Sequence, residues 1–158
     1  MSTKFTFAAI AVLVLSFITL AHSTGRREVH AGAPDATPQP GAIERISAEE
    51  LKSKLEKQEL VTVLDVRSTD HYVAAENRIK GSIHVKLRRL SSRLSFSPLK
   101  DISRDSEVVT YCACPNDEAS YRAAEILLNA GFKRVRVLEG GWQMWLKAKG
   151  PVEPRPKA

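Results

Sequence analysis

The chain reads as a three-layer α/β domain, a central, mainly parallel sheet flanked by helices, and three observations predict it. Apolar, β-branched runs recur at residues 61–66, 107–112 and 135–138, as strands covered on both faces require. Segments with apolar residues at helical spacing lie between and after them. Strands that alternate with helices favour parallel pairing.

The domain is expected over residues 43–151. Ser47, Ala48, Glu49 and Glu50 form a capping box, in which Ser47 and Glu50 satisfy each other's orphan amides. The helix then runs to Lys57, with Leu51 and Leu55 on one face. A strand follows at 61–66, a short helix at 70–75, a turn and short strand at 81–85, and a helical stretch at 87–94. The next strand, 107–112, leads through a loop into a helix at 120–130. Ala123, Ala124, Leu127 and Leu128 face inward there. Gly131 closes that helix in a left-handed cap, and Phe132 packs back on its last turn. After the strand at 135–138, Gly140 and Gly141 turn the chain into a last helix, whose Trp142 and Trp145 belong to the core. The two glycines permit backbone angles closed to other residues.

The 158 residues suffice for one domain with a sizeable core, and 43% hydrophobic and 27% charged residues are ordinary for a globular protein. The net charge of +6 is scattered, and no aromatic-basic interleaving accompanies it, so nucleic acid is not an expected partner. Lys4 precedes an uncharged apolar run over residues 5–21, and Ala21 and Ser23 are small. Residues 1–23 therefore form a signal peptide cleaved after Ser23, or an uncleaved membrane anchor. Either places the domain outside the cytoplasm, exported, periplasmic or membrane-anchored, touching membrane only through this segment. Residues 24–42 are rich in Gly and Pro and poor in large apolar side chains, hence a disordered linker. Residues 152–158 are expected to be a flexible tail.

The only cysteines, Cys112 and Cys114, are one residue apart. This is no disulfide framework, and the pair points to chemistry. Cys112 ends a strand, and a helix begins shortly beyond it. Ligand sites of such sheets lie outside the carboxyl ends of the strands. Backbone amides at a helix N-terminus favour an anion and make a nearby thiol a better nucleophile. The loop residues Ala113, Pro115, Asn116, Asp117, Glu118, Ala119 and Ser120 are thus candidate substrate-binding positions around Cys112 and Cys114.

Several motifs together resemble the rhodanese family. Leu64-Asp65-Val66-Arg67 is similar to its first hallmark and Ile79-Lys80-Gly81-Ser82-Ile83 to its second. Val108 to Cys112 matches the strand entering its catalytic loop, and Leu138-Glu139-Gly140-Gly141-Trp142 with Trp145 matches its C-terminal signature. The resemblance implies sulfur transfer through a cysteine persulfide, with no cofactor and no metal. The family's common loop is Cys-x-x-Gly-x-Arg-Ser. Aligned from Ser120, Cys114 takes the catalytic position and Ala119 replaces the arginine. Aligned from the strand, Cys112 takes it, and this register is preferred because insertions are tolerated beyond a strand end. His71 or Asp70 stands near the usual arginine-pairing glutamate, and His84 and Asn116 are within reach of a ligand or are turn residues. Asp65 and Arg67 are expected to shape the fold first, Asp65 accepting local amides and Arg67 pinning the following helix.

Three function classes follow. A sulfurtransferase would take sulfur from a small donor such as thiosulfate or a persulfide and pass it to a thiol, an acceptor protein or cyanide. Asp117 and Glu118 would then disfavour thiosulfate, and a neighbouring-cysteine disulfide would call for a thiol reductant. A phosphatase needs Cys-x5-Arg, which is missing after both cysteines. A non-catalytic module binding sulfur, a soft metal or a protein partner is the remaining alternative.

Overall fold

The computed structural model describes residues 42–156. The expected signal peptide or anchor, nearly all of the expected linker and the last two residues lie outside these described residues.

Twelve regular elements succeed one another as β1 (Glu44–Ile46), α1 (Ala48–Glu56), β2 (Val61–Asp65), α2 (Thr69–Ala74), β3 (Asn77–Ile79), β4 (Ile83–His84), α3 (Leu90–Arg93), β5 (Glu107–Tyr111), α4 (Glu118–Asn129), β6 (Arg134–Leu138), α5 (Gly141–Lys147) and β7 (Val152–Pro154). Five strands form a parallel sheet in the order β1-β6-β5-β2-β4. The α/β class expected from the sequence is the observed one. Every residue of the central strand β5 is buried, because helices cover both faces.

Successive residues of a strand face opposite layers, and the core divides accordingly. Leu64 and Val108 join Leu90, Ala123, Ala124, Leu127 and Phe132 on the side of α3 and α4. Val63, Val109 and Tyr111 join Leu51, Trp142 and Trp145 on the side of α1 and α5.

Local signals explain the element ends. Ser47 Oγ accepts the Glu50 amide at 3.0 Å, but only half of the capping box forms. The Glu50 carboxylate turns to Arg136, 2.6 Å away, because an ion pair to the neighbouring strand outbids a backbone amide. Just past helix α4, Gly131 turns the chain with φ +89°, and buried Phe132 donates its amide to Leu127 O at 3.1 Å. Helix α4 starts at Glu118, before the expected Ser120.

The tail departs from expectation. Residues 152–154 are a strand, β7, pairing antiparallel with β3, an element that the sequence pattern also left unmarked. The tail is ordered by partners far away in sequence: Arg78 binds Glu153 at 2.7 Å, and the Arg155 amide and guanidinium bond to the carbonyls of Glu76, Ala75 and Val73. Among the described residues no helix is long and apolar enough to cross a membrane.

The chain leaves β2 toward β4 on one side and leaves β5 toward β6 on the other. The crevice between the carboxyl ends of β2 and β5 is the topological switch point, where ligands of open α/β sheets bind.

Removing the residues after Pro151 deletes β7 and the Arg155 contacts. Urea unfolding should show a loss of about 1–2 kcal/mol, whereas an unchanged midpoint would mean that β7 adds nothing to stability.

Candidate active site

Asp65 and Tyr111 are register partners at the ends of β2 and β5. Arg67 Nε and Nη2 clamp the Asp65 carboxylate, the closest contact being 2.6 Å, and the Tyr111 hydroxyl donates to Asp65 Oδ2 at 2.6 Å. Asp65 and Arg67 side chains are wholly buried. Arg67 Nη2 also donates to Asn77 O at 3.2 Å, and the guanidinium lies 4.5 Å from the Trp142 ring centre. Burial opposes the Arg67 charge, but the Asp65 carboxylate overrides it and raises the guanidinium pKa. Burial, then Asp65, pushes the Tyr111 phenol far above its ordinary range, so it stays a donor. As expected, Asp65 accepts a local amide, that of Arg67 itself at 3.1 Å. Tyr111 was not among the expected site residues. Its signal is an aromatic hydroxyl in a buried strand, which needs a partner.

Cys112 follows directly. Its thiol is buried, 1% exposed, whereas Cys114 is half-buried. Their Sγ atoms lie 2.6 Å apart, and both cysteines are free. Burial, and then the Cys114 sulfur, raises the Cys112 thiol pKa. The neighbouring Ser120 hydroxyl, buried and without a hydrogen-bond partner, offsets part of this rise. The Ala119 amide at the start of α4 points at Cys114 Sγ, 3.5 Å away. The helix N-terminus thus serves Cys114, not the strand-end cysteine that the sequence favoured.

Two glycines hold this loop from behind. Trp142 N–H donates to Cys112 O at 2.8 Å, and a side chain at Gly141 would collide with that oxygen. Gly140 N–H donates to Asp117 Oδ2 at 2.8 Å, and Arg45 lies 3.6 Å from the same atom. Asp117 is 4% exposed. Its carboxylate therefore braces the loop against the turn before α5, a correction to the expectation that it confronts a ligand. Asn116 and Asp117 both take left-handed angles, φ +60° and +55°, which short polar side chains tolerate. Ala113 packs against the core layer of α1 and α5, Pro115 and Asn116 are exposed, and Glu118 points outward with Arg122 at 3.8 Å.

A groove of about 530 Å³ opens beside the loop, between the segment after β2, the segment after β4 and the first turns of α4. Arg67, Asp70, Lys86, Arg88, Ala119 and Arg122 line it. His84 stacks on Tyr72 at 3.6 Å and bonds to Arg67 O at 3.3 Å, a structural position. His71 is exposed, and its amide is capped by Ser68. Among the described residues no group of three or more His, Cys, Asp or Glu gathers as metal ligands.

The family profile described as "Rhodanese-like domain" matches residues 47–148. The chain belongs to the rhodanese-like family. It is 27% identical over 120 residues to the putative sulfur carrier protein YrkF of Bacillus subtilis (strain 168), covering 76% of this chain and 60% of that protein. It is 27% identical over 110 residues to a sulfurtransferase of Allochromatium vinosum, covering 70% of this chain and 94% of that one. The crystal structure of the Alr3790 protein from Anabaena sp. superposes with a TM-score of 0.59 at 32% identity, over 70% of this chain and 82% of that one. The chain spans less than two thirds of the first curated relatives it matches. The rhodanese-like resemblance read from the motifs is thereby shown.

Two measurements probe this architecture. Asp65→Asn strands the Arg67 charge in the interior, and chemical denaturation should show a loss of about 3–5 kcal/mol; a loss below about 1 kcal/mol would mean the pair is dispensable. Burial lowers the His84 pKa below its ordinary 6.5, with the Arg67 carbonyl and Asp65 opposing. Folded His84 thus binds a proton less readily than unfolded His84. Its stabilising contribution is complete above the ordinary value and is lost as pH falls below it. Thermal midpoints should drop on acidification from about pH 7 to about pH 5, less so in His84→Gln. Parallel profiles for both proteins would remove His84 from the account.

Proposed function

We propose that this rhodanese-like domain is a sulfurtransferase that carries sulfane sulfur as a persulfide on Cys114, with Cys112 as the resolving thiol. The observation that carries this reading is the sulfur of Cys114, a half-buried residue, under the Ala119 amide and beside the fully buried Cys112. An amide donor at that sulfur suits both an attacking thiolate and a persulfide anion. Cys112, buried and with a raised pKa, is the poorer nucleophile toward an outside donor. This reverses the preference that strand register alone suggests.

In the first step the Cys114 thiolate attacks the terminal sulfur of a persulfide, R–S–SH. The new S–S bond makes Cys114–S–SH, and R–S⁻ leaves. In the second step an acceptor thiolate attacks the outer sulfur, forms its own persulfide and releases the Cys114 thiolate. Without an acceptor, Cys112 attacks the inner sulfur, giving a Cys112–Cys114 disulfide and HS⁻. Two equivalents of an outside thiol then restore both cysteines and leave as their own disulfide. The curated sulfurtransferase and sulfur carrier relatives support this chemistry.

Intact mass and peptide mapping after one equivalent of donor test the assignment. Cys112→Ser should retain an adduct of about 32 Da, one sulfur atom, on Cys114 and hold it longer than the parent. Cys114→Ser should load at least about tenfold more slowly, because the remaining thiol is buried. Loading of Cys112 at the parent rate in Cys114→Ser would overturn the assignment. Absence of an adduct on every folded variant would overturn sulfur transfer itself.

A further inference from the structure

The groove beside the thiols carries cationic side chains, which the loop of residues 112–120 lacks. Lys86, Arg88 and Arg122 line it against one carboxylate, Asp70. Arg67, also in the lining, is neutralised by Asp65. Arg122 is engaged only loosely, by Glu118 at 3.8 Å, and Lys86 and Arg88 form no ion pair among the described residues. The volume of about 530 Å³ suits a small organic ligand. Ala119 joins groove to chemistry, since it lines the groove while its amide faces Cys114 Sγ at 3.5 Å.

We propose that this groove is the subsite for the organic part of the sulfur donor, and that the donor is a persulfide bearing carboxylates remote from its sulfur. The inference rests on the sulfurtransferase reading and narrows its substrate class. Position decides between anions. Thiosulfate carries its charge on the sulfane sulfur itself and on sulfonate oxygens two bonds away, and needs a cation in the loop, where this chain has Ala119. The cationic side chains instead come from the segment after β4 and from the face of α4, so they meet charge held away from the sulfur. With the terminal sulfur at Cys114, the carboxylates meet Lys86, Arg88 and Arg122. Asp70 is then left facing the donor's cationic or neutral parts.

The test compares glutathione persulfide with the persulfide of glutathione diethyl ester on the full chain. Loading of Cys114 is followed by intact mass in single turnover. The diacid should load about tenfold faster than the diester, the product of three exposed ion pairs worth about two- to threefold each. Raising salt should shrink this contrast. The triple variant Lys86→Ala/Arg88→Ala/Arg122→Ala should bring it close to unity, and Arg88→Glu alone should reduce it. Equal loading of both donors by the parent, or an undiminished contrast in the folded triple variant, would overturn the proposal. Binding of unreactive S-methylglutathione, measured by calorimetry, tests the groove apart from sulfur transfer. The parent should bind it about tenfold more tightly than the triple variant, and no difference would overturn the subsite even if sulfur transfer stands. Binding without loading by either donor would leave the subsite supported and refute the sulfurtransferase reading.

Discussion

The buried Asp65–Arg67 pair governs the carboxyl edge of the sheet. Two charges removed from water cost several kcal/mol each unless their hydrogen bonds are made. Here the carboxylate receives the guanidinium, the Arg67 amide and the Tyr111 hydroxyl, while Asn77 O and the Trp142 ring take up the other side of the guanidinium. These contacts tie the end of β2 to the end of β5, to β3 and to α5. The next residue after Tyr111 is Cys112, so the position of the thiols follows from this pair. One guanidinium nitrogen, Nη1, is left without a partner, and the pair therefore serves specificity of arrangement more clearly than net stability.

Glycine supplies the second constraint. With no side chain at Gly141, the turn before α5 approaches the Cys112 carbonyl closely enough for Trp142 N–H to bond to it. Gly140 accepts a positive φ and offers its amide to Asp117. The loop is thus held by backbone groups of a distant turn and by its own buried carboxylate. Asp117 is consumed in this bracing, which removes a negative charge from the mouth of the site.

The amino ends of the strands make an instructive contrast. Glu107 there is also buried, and Lys54, Arg134 and Arg136 surround it within 3.4 Å. A cavity opens beside them, but Lys54, Arg134 and Arg136 in its lining are held by Glu107. At the carboxyl ends the inner pair is satisfied, and an outer set of cations remains facing the groove. The same sheet has a closed electrostatic end and an open one, and the thiols lie at the open one.

Local chemistry made much of this legible. The β-branched runs marked β2, β5 and β6, Ser47 marked the start of α1, and the glycines before Trp142 marked a turn that needs positive φ. The family followed from motifs whose order and spacing survive in this chain. Elements set by distant partners were not legible: β1, β3 and β7 are short, and the pairing that orders them comes from residues remote in sequence. The same limit applied to the loop. Sequence spacing supported either cysteine, because a strand end and a helix start both favour a thiol. Tertiary packing decided that Cys112 is buried beneath Cys114, that Asp117 turns inward, and that Lys86, Arg88 and Arg122 converge on one groove. Periodicity and caps are properties of neighbouring residues, and the sequence determined them alone; burial and convergence depend on which segments meet, and only the folded chain decided those.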